Sequence, residues 1–187
     1  MEAFLISTGI VALAEMGDKT QLLAFILAAR YKKPWTIILA ILLATIANHL
    51  AAGLLGAWLT TQFSAETLRW GLGVSFLLMA VWVLIPDQLD DVEEAKSHLG
   101  VFGATFMTFF LAEMGDKTQI ATVALAAQYQ QLFAVVMGTT LGMMVANIPA
   151  VIMGERIAHK VPMRLVHWLA AALFAVLGAL TLMGRGV

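Results

Sequence analysis

Glutamate, aspartate and lysine stand at positions 15, 18 and 19, and again at 113, 116 and 117, each time inside a long apolar stretch. Both sets belong to the same nine residues, "LAEMGDKTQ", at 13–21 and at 111–119. A charge at the centre of a membrane-spanning helix costs roughly 2.5–3.5 kcal/mol on insertion scales, so six cost on the order of 15–20 kcal/mol before pairing. An apolar sequence would build stable helices without that penalty, so ionisable groups at such positions read as functional. Four carboxylates, Glu15, Asp18, Glu113 and Asp116, are what a cation site needs. Oxygen donors without cysteine or histidine suit hard ions such as Ca²⁺, Mg²⁺ and Mn²⁺, whereas copper or zinc would favour thiolate or imidazole.

The same carboxylates can carry protons. Burial and like-charged neighbours favour the protonated form of a carboxylate, and a bound divalent ion favours the ionised form. Metal and protons then compete for one site, which is the minimal machinery of an exchanger. Lys19 and Lys117 are expected to compensate charge in the empty site or to couple to protonation. Fully ionised, the set carries four negative charges against two positive.

Glu15 and Asp18, at i, i+3, are expected to share one helix face, and Gln21 (with Gln119 in the second copy) extends that stripe. Gly17 and Gly115 permit close helix approach, or local unwinding that frees carbonyl oxygens. Thr20 and Thr118 are candidates to line the site or to bond helix carbonyls. Asn48 and Asn147 could add amide oxygens, or could simply hydrogen-bond between helices. A thioether from Met16 or Met114 would favour Mn²⁺ over Ca²⁺, although methionine is also ordinary membrane packing. His49 reads as packed or hydrogen-bonded. The structural alternative for the motif is a Glu15–Lys19 pair at i, i+4 that fixes helix register. It gives Asp18 no role and does not account for the duplication.

These residues need apolar elements to position them, and the chain supplies them. Of 187 residues, 61% are hydrophobic and 12% charged, against roughly 25% charged in an ordinary soluble domain. Several apolar runs exceed the ~20 residues that span a bilayer. The pattern predicts an all-α integral membrane protein with six transmembrane helices at about 3–29, 35–59, 67–86, 99–127, 131–154 and 164–184. Pro34, Pro86 and Pro162 punctuate helix ends. There is no cysteine, so disulfides and thiolate sites are excluded. The first apolar run carries charges at its centre, so no cleaved targeting segment is expected.

A single offset of 98 residues lays the second half on the first. Over 13–29 and 111–127, 12 of 17 positions are identical, and Gly56/Gly154, Trp70/Trp168 and Phe76/Phe174 keep the same offset. The chain is therefore read as a first three-helix repeat (1–89), an acidic cytoplasmic linker (90–100) and a second three-helix repeat (101–187). With three spans per unit, the second unit must be inverted. The charges agree. With "RYKKP" (30–34) in the cytoplasm, Arg30, Lys32, Lys33, Lys96, Arg156, Lys160 and Arg164 lie inside and only Arg69 and Arg185 outside, as the positive-inside rule requires. Both termini then lie outside the cytoplasm. The loop "RYKK" is matched by the uncharged "QYQQ" where its counterpart lies outside. An inverted repeat brings its two central motifs together near the midplane, where transporters of this architecture bind substrate.

At these residues the sequence resembles the E-x-G-D-K-[ST] membrane family (uncharacterised protein family 0016), which includes eukaryotic Golgi manganese/calcium transporters and bacterial manganese exporters. Both copies of the hexapeptide are complete, "EMGDKT" at 15–20 and at 113–118, and the likeness covers essentially the whole chain. The resemblance implies exchange of Mn²⁺ or Ca²⁺ for protons with the motif acids as ligands. The compact chain resembles bacterial members, for which it implies manganese export across the inner (plasma) membrane. Mn²⁺ or Ca²⁺ is then the transported substrate and no cofactor is expected. The partners expected are divalent cations, protons and the lipid bilayer, not nucleic acid, with a homo-oligomer left open. A passive divalent cation channel is the nearer alternative. A metal-dependent lipid-phosphate hydrolase is the further one, and no arginine lies within a span to bind phosphate. The acidic segment 87–94 reads as a solvated linker, with metal sensing as the alternative.

Overall fold

The computed structural model describes residues 1–85, 100–153 and 163–184. Among the described residues there are eight helices and no strand. They are α1 (Glu2–Glu15), α2 (Lys19–Tyr31), α3 (Pro34–Gln62), α4 (Ala65–Trp82), α5 (Gly100–Glu113), α6 (Lys117–Tyr129), α7 (Leu132–Met153) and α8 (Met163–Leu182). Three of them, α3, α7 and α8, are each long and apolar enough to cross a membrane. Linker residues 90–99, with Lys96, lie outside the described residues, as do Pro86, Arg156, Lys160, Pro162 and Arg185.

The helix ends follow from local chemistry. Pro34 opens α3, where its missing N–H has no partner to lose. Ser64 caps α4 by accepting the Thr67 N–H at 3.2 Å. The helices α2 and α6 both close on a left-handed residue, Lys32 and Gln130, whose N–H returns to the carbonyls of Ala28 and Ala126.

The expected continuous helices at 3–29 and 99–127 are not continuous. Each is broken inside the motif, into α1 plus α2 and into α5 plus α6, by a glycine with positive φ: Gly17 at 82° and Gly115 at 79°. A residue with a side chain pays a steric penalty there and glycine does not. The unwinding alternative is the one realised. The i, i+3 face shared by Glu15 and Asp18 and the i, i+4 pair of Glu15 with Lys19 therefore do not form.

Packing interleaves the two halves. The helix α1 lies mainly against α7, its repeat counterpart α5 lies against α3, and α3 also meets α6 and α7. Gly138 and Gly142 let α7 press on α1: a Cβ at Gly142 would come within 2.7 Å of the Thr8 carbonyl oxygen. The helices α4 and α8 pack chiefly on each other. Phe76 and Phe174 stack with centroids 6.4 Å apart, and Gly73 and Gly178 bring the two backbones together, as small residues do between membrane helices. One buried cluster gathers around Phe76, Phe174, Leu125 and Ile10. The other gathers around Phe109, Met143, Ile41 and Val11. The outward surface is apolar, with Trp35, Trp58, Trp70 and Trp168 all exposed, as suits a lipid-facing exterior.

Candidate functional site

Each break ends one helix and starts another within three residues. The Asp18 N–H returns to the Glu15 carbonyl at 3.1 Å, and the Asp116 N–H returns to Glu113 at 3.2 Å. Asp18 and Asp116 become the N-cap residues of α2 and α6, yet neither uses its carboxylate as a cap. Aspartate at this position ordinarily accepts a backbone N–H of the first turn, so here both carboxylates are directed elsewhere.

The breaks converge. Glu15, Glu113 and Asp116, all buried, offer one carboxylate oxygen each within 4.8 Å of one another. Thr20 donates its hydroxyl to Glu15 Oε2 at 2.6 Å, and Thr118 to Glu113 Oε2 at 3.3 Å. The other oxygen of each acid, Glu15 Oε1, Glu113 Oε1 and Asp116 Oδ2, is buried without a hydrogen-bond donor among the described residues. Buried acceptors of this kind are costly unless a cation or a proton satisfies them. Asp18 is also buried, at 7% exposure, but does not join the three acids that converge.

Both lysines reach beyond their own helix turn. Lys19 Nζ lies 2.8 Å from Asp116 Oδ1, pairing one motif with the other. Lys117 Nζ donates to the Ile85 carbonyl at 2.7 Å, beyond the end of α4.

The glutamines staple each break to the opposite half. Gln21 Oε1 accepts the Gly17 N–H at 3.0 Å, while its Nε2 donates to the Ala146 carbonyl of α7 at 2.8 Å. Gln119 Oε1 accepts the Gly115 N–H at 2.7 Å, while its Nε2 donates to Asn48 Oδ1 at 3.2 Å. Positions 48 and 146 are themselves 98 apart. The first repeat supplies an amide oxygen where the second supplies a backbone oxygen. Pro149, inside α7, offers no N–H to the Val145 carbonyl and loosens that turn; it is the one proline not expected at a helix end. Asn48 Nδ2 also caps α5, donating to the Phe110 carbonyl at 3.0 Å. Asn48 thus braces the second break. Among the described residues Asn147 keeps its hydrogen bonds within α7, through Nδ2 to Met143, and its Oδ1 is buried without a donor. His49 is fully buried, and neither ring nitrogen has a hydrogen-bond partner among the described residues. Met114 is 58% exposed, so its thioether stands apart from the buried acids, and Met16 is half-buried.

One participant carries no signal in the motif. His167 Nε2 lies 2.9 Å from the Met16 carbonyl oxygen in the first break. A carbonyl only accepts, so this nitrogen carries the proton and donates. The offset of 98 puts Arg69 in its place in the first repeat.

An all-helical membrane chain with paired helix breaks around buried acids is built as membrane transporters are. The chain belongs to the GDT1 family of divalent cation/proton antiporters, whose model matches residues 3–91 and again 101–186. The family is one of transporters, not enzymes. A protein of Vibrio cholerae named "Putative manganese exporter" is 52% identical over 182 residues, 97% of this chain and 90% of that one. A GDT1-like protein of Synechocystis is 28% identical over 193 residues, 93% of each chain. GDT1-like protein 3 of rice (Oryza sativa subsp. indica) is 30% identical over 199 residues, 92% of this chain and 71% of that one. No solved structure matches.

Proposed function

We propose that this protein is a secondary active transporter that takes Mn²⁺ in preference to Ca²⁺, exchanges it for protons and exports manganese from the cytoplasm. The observation that carries the reading is the convergence of Glu15, Glu113 and Asp116, each with a buried oxygen that has no hydrogen-bond donor among the described residues. Three carboxylate oxygens are a hard-cation donor set, and the same oxygens accept protons when the cation leaves. Asp18, the repeat counterpart of Asp116, stands beside the set as its fourth acid, its carboxylate likewise not spent on capping. The name of the Vibrio relative supports manganese and export.

The architecture that fits this role has six spans: α1 with α2, α3, α4, α5 with α6, α7, and α8. They form two inverted three-span units, 1–89 and 101–187, joined by a cytoplasmic linker at 90–100. Both termini lie outside the cytoplasm, in the inner membrane. The charge asymmetry of the loops supports this orientation, and the matched breaks at Gly17 and Gly115 support the repeat. Moving a divalent cation out against a negative-inside potential costs about 4.6 kcal/mol per 100 mV, and two protons moving in cancel that charge.

The test is flux in proteoliposomes under an imposed pH gradient, for wild type, Glu15→Gln, Glu113→Gln and Asp116→Asn. Mn²⁺ should accumulate against its own gradient while protons run the other way, faster than Ca²⁺, and each variant should lose this. Downhill flux that ignores the proton gradient would instead identify a passive channel.

A further inference from the structure

We propose that His167 and Arg69 are alternating latches, each closing one helix break in turn as the α4–α8 pair rocks between two positions. The proposal rests on the transport reading above for its purpose, but its geometry stands apart from it. In this structure the first break is closed. His167 donates to the Met16 carbonyl at 2.9 Å, and Met163, one turn earlier on α8, sits over Gly17 with its sulfur 3.0 Å from where a Cβ would lie. Among the described residues the second break is open on the equivalent side, with none of them within 4 Å of a Cβ at Gly115. The offset of 98 makes Arg69 the counterpart of His167 and Ala65 the counterpart of Met163. Ala65 is exposed where Met163 is half-buried. Arg69 Nε is buried without a hydrogen-bond partner among the described residues, a donor held ready, and the counterpart of the Met16 carbonyl is that of Met114.

The moving part is defined by its packing. The helices α4 and α8 lie chiefly on each other through Phe76, Phe174, Gly73 and Gly178, and meet the remaining helices less extensively. A pair held together this way shifts as a unit, and discrete packing arrangements make such shifts two-state. Repeat-equivalent sequence then demands two equivalent states. In one, His167 holds Met16. In the other, Arg69 holds Met114 and the first break opens. Each latch is one donor on a carbonyl freed by a broken helix, so it biases the equilibrium without trapping it: a net hydrogen bond shifts such a balance by roughly two- to tenfold.

The chain has no cysteine, so single reporters can be placed cleanly. Met163→Cys and Ala65→Cys are each labelled with a maleimide in membranes, with His167 or Arg69 altered in turn. His167→Ala should raise the labelling rate at 163 by roughly two- to tenfold and lower it at 65. Arg69→Leu should move both rates the opposite way. His167→Gln, which keeps a donor, should return them toward the unaltered values. Rates that stay unchanged, or that rise together at 163 and 65, would overturn the latches, since the second pattern is general loosening. Should His167→Ala not fold, the Arg69→Leu and His167→Gln arms decide. Flux of the wild type in proteoliposomes is scored separately. Its absence would sink the transport reading, while the reciprocal labelling pattern would still stand or fall by itself.

Discussion

Lys19 of the first motif reaches across to Asp116 of the second, Nζ to Oδ1 at 2.8 Å, with the lysine 24% exposed and the aspartate 2%. The pair ties the two breaks together and neutralises one of the acids that a cation would use. Removing one partner of a buried pair leaves the other uncompensated and typically costs about 3–5 kcal/mol. Lys19→Met should therefore lower the melting temperature in detergent substantially. The double variant Lys19→Met with Asp116→Asn should recover most of that stability without recovering Mn²⁺ exchange. Thermal unfolding of the three variants checks the first statement and proteoliposome flux the second.

The four acids should not be equal. Glu15, Glu113 and Asp116 converge, and Asp18 does not join them. Neutralising any of the three should weaken Mn²⁺ binding by roughly 100-fold or more, beyond the 10–100-fold typical of outer-shell partners, whereas Asp18→Asn should fall within that lower range. Titration calorimetry on purified protein reads both. Equal losses at all four positions would mean that Asp18 enters the ligand set on binding.

The meeting of the two motifs was legible in the sequence, because helix packing alone does not call for so costly a charged motif, still less for two copies of it at one offset, and Glu15, Glu113 and Asp116 do come together. Phe76 and Phe174 were legible as repeat counterparts, but that their rings stack on each other was not, because an offset relates positions and says nothing of contact. The helix breaks were less legible. Gly17 offered either close packing or unwinding, and hydropathy does not separate them, because the sequence around 13–21 is apolar enough on both sides to read as one helix. Only the backbone φ decides. His167 was invisible for a different reason. It lies 151 residues from the carbonyl it meets, and its repeat counterpart is an arginine, so neither motif nor repeat marks it. Asn48 was legible as polar and central, but its two roles, capping Phe110 and receiving Gln119, depend on α3 lying against α5 and α6.

The two breaking glycines have different surroundings, which separates strain from crowding. Alanine at either position adopts a left-handed conformation at a penalty of roughly 1–2 kcal/mol. At Gly17 the new methyl also meets Met163, its sulfur at 3.0 Å, whereas at Gly115 it meets none of the described residues within 4 Å. Gly17→Ala should thus be the more destabilising of the two in thermal unfolding. Combining it with Met163→Ala should bring it level with Gly115→Ala. A Gly115→Ala penalty equal to or larger than that of Gly17→Ala in the parent chain would contradict this.

The glutamine staples make a prediction about coupling across the repeat. Gln119 joins the Gly115 N–H to Asn48 Oδ1, and Asn48 in turn holds the Phe110 carbonyl. Asn48→Ala removes both the acceptor for Gln119 and the cap on α5. Gln119→Leu removes the staple but leaves the cap. A double-mutant cycle should give a coupling of about 1 kcal/mol between the two positions, the net value of one hydrogen bond in a buried setting. Asn48→Ala alone should be the more destabilising single change, because a buried carbonyl loses its donor. The second repeat offers the control. Gln21 bonds the backbone oxygen of Ala146, so substituting the Ala146 side chain with serine leaves that acceptor in place. Gln21→Leu should lose the same stability in the Ala146→Ser chain as in the parent, with a coupling near zero. A large coupling there would mean that the side chain at 146, not the backbone loosened by Pro149, holds the first break.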